Sequence, residues 1–406
     1  MRVPLASSGL RDSDIDAAIR VLRSGSLTMG KEVGNFESKM AQYLGMKHFV
    51  MVNSGSSANL LMIEALMRPT VGKAKLSPGD CVLVPAIAWP TTIWPLIQLG
   101  LNPIFIDVDP STLALDLKAA QEFINQSGIP IRGIFPIHPL GRAIPPSQLG
   151  EFITKNDLVL INDVCESLGS WIEGKHAGNV GEASSFSFYF SHHITTMEGG
   201  GIATNNDSMV DDLKSMRSHG WSRDRSDAKF WQMNKTSNDS KFLFVSTGYN
   251  VRPMEIQAAI GSLQIDEIDT FIDKRRQIAE RVSESISGTR LSVIGEDTFS
   301  NDRNSHSWML IPILVSGENA SAYKELVLSE LAKFEVETRP ILTGNFLAQP
   351  AIQRITRHAV DPSKFSIANL MTQNAFMVGA HHDLSESQIE HLCFSLKSAS
   401  QLNSGT

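Results

Sequence analysis

Short apolar runs separated by amphipathic stretches set the rhythm of the first two-thirds of the chain. Residues 82–85, 104–107, 133–136, 158–161, 185–188 and 201–204 are apolar segments of strand length. Between them lie helical stretches such as 58–67, with apolar residues at helical spacing, and 211–217. Strands alternating with helices predict an α/β layer built on a mainly parallel sheet. From about residue 253 the pattern changes to one long helical run over 254–276, with Ile256, Ala259, Ile260, Leu263 and Ile268 along a single stripe. A smaller α+β unit follows, with a strand near 309–315 and a helix near 320–334. This divides the chain into a large domain, 1–265, which includes an N-terminal helical segment, and a small C-terminal domain, 266–406. The polar stretch 223–241, rich in Ser, Asp and Asn, reads as a long loop. Loops of that size inside a compact domain are usually functional or mobile.

Composition narrows the class. A chain of 406 residues has enough material for a sizeable core, and 42% hydrophobic with 19% charged residues is ordinary for a soluble globular protein. The net charge of −7 argues against a nucleic-acid or anionic-membrane surface. No apolar run reaches the roughly 18 residues that would suggest a membrane span, and the N-terminus shows no signal-peptide pattern. Cys81, Cys165 and Cys393 are isolated thiols, too scattered for a disulfide frame or an iron–sulfur cluster. The expected location is a reducing cytoplasm.

Four separated segments carry candidate chemistry. Asn53-Ser54-Gly55-Ser56-Ser57-Ala58-Asn59 opens a helix after an apolar run; backbone N–H groups at a helix N-terminus, with hydroxyls beside them, make a phosphate cradle. The same stretch serves equally well as a plain Ser-rich helix cap. Asp163 ends an apolar strand, with Glu166 three residues on. A carboxylate there can pair with the ring nitrogen of an aromatic cofactor, although an Asp in that position is more often a turn or cap. Trp89 could stack on such a ring, while a Trp before proline is more often plain packing. The fourth segment runs from Ser187 to Gly200 and contains His192-His193. Adjacent histidines lack the i, i+4 spacing of a helical zinc site, so no metal is expected. The later His381-His382-Asp383 cluster is expected to be a loop feature lining the site, or exposed.

Together these segments resemble the DegT/DnrJ/EryC1/StrS family of pyridoxal-phosphate (PLP) enzymes acting on nucleotide-linked sugars. The resemblance runs over nearly the whole chain. It takes in 25–31, Phe36-Glu37, 53–59, 163–169, 187–200, Gly248-Tyr249-Asn250-Val251-Arg252 and the helix start at 255–261. It implies the aspartate-aminotransferase-like arrangement, fold type I, with a mainly parallel sheet in the large domain and a smaller α+β domain. In most such relatives the segment around residue 192 carries a lysine that bonds covalently to the cofactor. Aligning the shared Ile194-Thr195 and Glu198-Gly199-Gly200 puts His192 in that place, which resembles the lysine-lacking, histidine-bearing branch of sugar 3-dehydratases. No lysine occurs between Lys175 and Lys214, and Lys175 lies in a Gly-rich turn too early to take the role. The branch members that bind an iron–sulfur cluster carry clustered cysteines that this chain lacks.

The resemblance implies site residues position by position. Ser56, Ser57 and Ser187 would hold the cofactor phosphate, Asp163 the pyridine nitrogen with Glu166 nearby, and Trp89 would stack on the ring. Asn250 and Arg252 would complete the phosphate site of a neighbouring subunit, which implies a homodimer. Met29, Gly30, His219, Arg339 and Asn345 would face the sugar nucleotide, although 217–225 and 253–255 match only loosely. His192 is the implied base, cycling the cofactor between PLP and pyridoxamine phosphate with an amino-acid donor, glutamate, and removing the C3 hydroxyl of a nucleotide-linked 4-keto-6-deoxyhexose in deoxysugar and O-antigen synthesis. Histidine, with an ordinary pKa near 6.5, suits proton transfer at neutral pH. Two other readings stand beside this one: a nucleotide-sugar aminotransferase of the same family, and a non-catalytic relative that keeps the fold as a binding module.

Overall fold

The computed structural model describes residues 1–68, 75–233, 242–355 and 360–402. Its larger sheet is assembled from β1 (His48–Val52), β2 (Cys81–Pro85), β3 (Asn102–Ile106), β4 (Ile131–Ile134), β5 (Val159–Leu160) and β6 (Asn162–Asp163). A small hairpin, β7 (Trp171–Ile172) and β8 (Lys175–His176), intervenes before β9 (Ala183–Ser187) and β10 (Gly200–Thr204) complete it. Hydrogen bonding runs in the order β3-β2-β4-β5 and, beside it, β6-β9-β10-β1. The two halves are continuous, because β5 and β6 are one chain path broken only at Ile161 and Ile137 bridges Asp163 in parallel. All these pairings are parallel except those of β10, which runs against both β9 and β1.

Successive side chains on a strand face opposite ways, and here both faces are covered. Val50 and Val52 pack with Leu61 and Met62 in one core, while Phe49 and Met51 pack with Phe36 and Met40 in another. Val82 and Val84 likewise separate from Leu83. Sheets buried on both faces read as continuous apolar runs, which is why the strands were legible in the sequence. The covering helices of this first part are α1 (Asp12–Ser24), α2 (Lys31–Leu44), α3 (Gly55–Leu66), α4 (Pro90–Gln98), α5 (Leu117–Ser127), α6 (Pro146–Asn156) and α7 (Asp207–Met216). Helix α2 buries Val33, Phe36, Met40 and Leu44, a three-and-four spacing that faces the sheet.

Two expectations are corrected. The stretch 223–241 is not loop throughout: α8 (Ala228–Met233) forms within it, braced by Arg225 on Asp212 and Asp227 and by Trp231 Nε1 donating to Asp227. Residues 234–241 of that stretch lie outside the described residues. The single helix expected over 254–276 is two, α9 (Glu255–Gln264) and α10 (Ile268–Ile286), joined by a 3₁₀ turn at Ile265–Glu267. Tertiary bonds impose the break. The Gln264 amide is held by Gly9 O, Asp14 Oδ2 and the Thr195 N–H, while Lys39 Nζ draws on the Ser262 carbonyl and Asp266.

A second, antiparallel sheet follows α10. Its strands β11 (Leu291–Val293), β12 (Leu310–Val315), β13 (Thr338–Arg339) and β14 (Ala375–Gly379) pair in the order β11-β12-β14-β13. Tyr323, Val327 and Leu331 of the helix Ala320–Lys333 and Leu392 and Leu396 of the helix Glu386–Ala399 join its core. The N-terminal segment crosses to this unit: Val3 pairs with Val336, and the Leu5 N–H donates to Glu337.

Two histidines are buried as neutral groups. Burial pushes His138 down to about 4 and His176 to about 3. Both ring nitrogens of His176 face backbone N–H groups, of Gly169 and Gly178, which leaves no acceptor for an added proton. Below pH ~6.5 the unfolded chain takes up protons that the native chain refuses, so stability falls with pH by about 1.4 kcal/mol per unit for each histidine until the native value is reached. Urea denaturation midpoints at pH 7, 6 and 5 should therefore drop in sequence; a flat series would mean that these rings charge in place.

Candidate functional site

The carboxyl ends of the parallel strands open on one edge of the large sheet, where crevices form in open α/β folds. Ser54 follows β1, Trp89 follows β2, His138 follows β4, Asp163 ends β6 and Ser187 ends β9. A cavity of about 400 Å³ lies there, walled on the far side by Met309, Leu310, Arg339, Pro340 and Met377 from the small unit and by Leu5.

The cradle at the head of α3 is built from its cap. Ser54 Oγ accepts from the Ser57 N–H, and the Ala58 N–H bonds the Ser54 carbonyl. That leaves the N–H groups of Gly55 and Ser56, at the positive end of the helix, without a protein acceptor among the described residues. Ser56 and Ser187 line the cavity beside them. Gly200 makes the close approach possible: a Cβ there would stand 2.4 Å from the Ser54 carbonyl carbon and 2.5 Å from the Gly55 nitrogen. The cradle has the donors a phosphate requires.

Asp163 is 6% exposed and has three neutral donors. Its Oδ2 accepts from Asn59 Nδ2 and Thr92 Oγ1, each at 2.9 Å, and its Oδ1 from the Cys165 N–H at 3.1 Å. Among the described residues it forms no ion pair, so a buried carboxylate faces the cavity without a cation. A protonated aromatic nitrogen would supply the missing charge. Beside it, burial and then the Asp163 charge raise the Glu166 carboxyl to about 7, against the bond it accepts from the Leu140 N–H. Burial and Asp163 also push the Cys165 thiol well up, so it stays protonated. Trp89 caps α4 with its indole 54% exposed at the rim.

His192 sits in the turn between β9 and β10. Its N–H bonds the Tyr189 carbonyl at 2.9 Å, and buried Ile194 anchors the turn below. The ring Nδ1 lies 2.8 Å from the Cys165 carbonyl. A carbonyl only accepts, so Nδ1 carries the hydrogen and Nε2 keeps its lone pair. Burial lowers the imidazole to about 4, with the Arg275 charge acting in the same direction. The ring is half-buried and water in the cavity offsets part of that effect; the sign leaves a neutral base at pH 7.

Of the residues singled out from sequence, Ser56, Trp89, Asp163, Glu166, Ser187, His192 and Arg339 line this one cavity. Ser57 does not; its hydroxyl donates to Asn53 Oδ1. Asn250 and Arg252 stand together outside it, Arg252 Nε donating to an exposed Asn250. Met29 and Gly30 lead into α2, where the Gly30 N–H donates to Glu255. His219 lies in a turn at φ 65°, its N–H on the Tyr249 carbonyl. Asn345 is buried, and its amide is used by Pro362, Asn369 and Leu347. The His381-His382 pair is neither exposed nor in this cavity. His382 stacks on Phe271 at 3.9 Å, and both rings edge a second, water-sized space behind His192. Sequence reading passed over Asn59, Thr92, Cys165 and Tyr189. Asn59 had a signal, being one helical turn from Gly55 and so facing the same way; the Cys165 backbone had none.

A mixed α/β sheet with a phosphate cradle, an uncompensated carboxylate and a neutral base at one edge defines a class of cofactor-dependent enzyme. The chain belongs to the DegT/DnrJ/EryC1/StrS aminotransferase family, whose sequence profile matches residues 9–397. It is 36% identical over 397 residues to the GDP-4-keto-6-deoxy-D-mannose 3-dehydratase of Yersinia pseudotuberculosis, covering 97% of this chain and 98% of the relative. The solved Escherichia coli GDP-4-keto-6-deoxy-D-mannose-3-dehydratase with bound hydrated PLP superposes with a TM-score of 0.86 at 33% identity, over 98% of this chain and 100% of that one. A GDP-4-keto-6-deoxymannose-3-dehydratase with a trapped PLP-glutamate geminal diamine gives the same score, identity and coverage.

Thr92→Val keeps the shape of the side chain and removes one donor from the buried Asp163. We expect a loss of about 1–3 kcal/mol in unfolding free energy at pH 7, read from urea titration. An unchanged midpoint would mean that this carboxylate does not depend on its three donors.

Proposed function

We propose that the chain is a PLP-dependent 3-dehydratase of a nucleotide-linked 4-keto-6-deoxyhexose. The observation that carries this reading is His192 in the place of the family's lysine, bonded through Nδ1 to the Cys165 carbonyl with Nε2 left as a base. When bound, the cofactor supplies an electron sink and, after taking the amino group of the donor, a removable amine.

The protein's own residues do the rest. The free N–H groups of Gly55 and Ser56 and the hydroxyls of Ser56 and Ser187 hold the phosphate ester. Asp163 would pair with the ring nitrogen and favour its protonated form, and Trp89 would cover the ring. Without a lysine in the 187–200 turn, nothing there ties the cofactor covalently. His192 Nε2, free to accept, would serve as the base of the reaction and could return the proton it takes up to the departing C3 hydroxyl. Arg339, the single arginine or lysine among the described lining residues, would face the sugar nucleotide from the small unit. With glutamate as donor the net change consumes the sugar and one glutamate and yields the 3-deoxy-4-keto sugar, 2-oxoglutarate and ammonia, which balances.

This reading divides the chain into a cofactor-holding unit, 1–265, and a smaller unit, 266–406, that closes over the sugar. It also takes the protein to be a cytoplasmic homodimer. Asn250 and Arg252, useless to their own cavity, would complete the phosphate site of a second copy. The exposed apolar Leu27, Met197 and Met254 would supply contact area for it. Among the described residues no helix is long and apolar enough to cross a membrane. The GDP-linked sugar of the Yersinia relative is the first substrate to try.

Incubation with 4-keto-6-deoxy sugar nucleotides, PLP and glutamate should release ammonia and a product lacking the C3 oxygen; an amino sugar would instead make this an aminotransferase. Borohydride reduction with PLP should leave no phosphopyridoxyl-lysine. His192→Asn should lower turnover by roughly 10²–10⁴-fold, the usual contribution of a positioned acid–base group, while PLP still binds. Gly200→Val should fill the cradle and weaken PLP binding at least tenfold by absorbance titration, on the order of 1.4 kcal/mol or more.

A further inference from the structure

Behind His192, on the side away from the cavity, the guanidinium of Arg275 is buried at 1% exposure. It projects from α10 and grips three backbone carbonyls. Its Nη2 donates to the His192 carbonyl at 3.0 Å, and its Nη1 to those of Met309 at 2.9 Å and Trp308 at 3.4 Å. Met309 belongs to the far wall of the cavity and His192 to the near one. One side chain therefore spans both walls at the point where the base is mounted.

Its charge has no close counter-ion. Among the described residues Arg275 forms no ion pair, and burial lowers its pKa to about 10, with only the Asp383 charge opposing. The rings packed around it are His193, His381 and His382, all held below the ordinary histidine value first by burial and next by the Arg275 charge. His193 donates through Nε2 to the Ser307 carbonyl and His381 through Nε2 to Pro4. A space of about 10 Å³ between these rings, Gln264 and the backbone of the turn has room for about one water. An uncompensated buried cation is costly, and three carbonyl dipoles alone are a modest return. Its position makes sense if the charge is used.

We propose that Arg275 is a positioning residue for the base: it fixes the His192 backbone against the small unit and, through its charge, weakens the hold of the imidazole on a proton. The charged and titratable groups that share the cavity with His192 are His138 after β4, Asp163, Cys165 and Glu166 at and after the end of β6, Tyr189 and Glu198 of its own turn, and Arg339 of the small unit; behind it stand His193, Arg275, His381 and His382. Asp163 favours protonation of the ring. Arg275 opposes it from behind, so the base can sit near Asp163 without being charged by it. The inference rests on His192 acting as the base, but its electrostatic half can be read without turnover.

The test is the titration of His192 in the PLP-loaded protein, followed by NMR of ¹⁵N-labelled histidine, together with the pH profile of kcat/KM. Arg275→Gln keeps donors for the carbonyls and removes the charge. Arg275→Lys keeps the charge and loses the fork. In Arg275→Gln the ring should titrate roughly one pH unit higher, and the acid limb of the profile should move up with it. In Arg275→Lys both should stay at the wild-type position while kcat falls several-fold. A titration unmoved by the loss of charge, or moved equally by both substitutions, overturns the proposal. Should the glutamine variant not fold, the lysine variant decides, a displacement of its His192 titration by more than half a unit being the overturning result. If the ring shifts as expected but no dehydration is detected in any variant, the electrostatic role stands and the dehydratase reading fails.

Discussion

The Cys165 peptide is the joint on which the site is assembled. Its N–H donates to Asp163 Oδ1 and its carbonyl accepts from His192 Nδ1, so the backbone of one residue holds both the carboxylate and the imidazole. The first bond orients a buried anion; the second chooses the tautomer that leaves Nε2 free. The two polar atoms lie on the two rigid peptide planes that meet at the Cys165 Cα, so their spacing is set by the backbone dihedrals of that one residue. The side chain at this position is a protonated, half-buried thiol, and neither bond involves it.

Around that joint the molecule arranges charge so that each group has a reason to keep its state. Among the described residues Asp163 has three neutral donors and no cation paired with it. Among the same residues Arg275 has three carbonyls and no ion-pair partner, and its charge falls on the neighbouring imidazoles. Opposite uncompensated charges on either side of one neutral base form a local field. Such a field survives only where water is largely excluded, as it is behind His192.

The histidine also explains what the fold does without a lysine. A lysine would need its amine brought down from an ordinary value near 10.4 to act as a base at neutral pH, whereas imidazole begins near 6.5. Burial, with the Arg275 charge behind it, then carries it below neutrality, and the Nδ1 bond aims it. On the proposed reading the scaffold keeps its cradle and its carboxylate, and a histidine in place of a covalent anchor changes which chemistry it can run.

The strands were legible in the sequence because a sheet buried on both faces leaves unbroken apolar runs, and the Ser-rich opening of α3 was legible because helix caps are local. Asp163, Ser187 and His192 could be singled out since each lies at the end of such an element or in the turn after it. What could not be read was anything settled by bonds across the chain. The break between α9 and α10 has no glycine or proline to announce it and follows from Gln264 and Lys39 reaching segments more than 60 residues away. Asn345 looked available for a ligand, yet its amide is spent on Pro362 and Asn369. Arg275 stood in the helical pattern as one more cation, although it falls on the buried stripe with Ile272 and Ala279. The sequence alone determined which elements form and which residue types stand at the sheet edge, because propensity, burial pattern and capping act over a few residues. Tertiary structure decided which polar groups remain free to act, because a hydrogen bond or a charge is spent or spared only by what folding brings beside it.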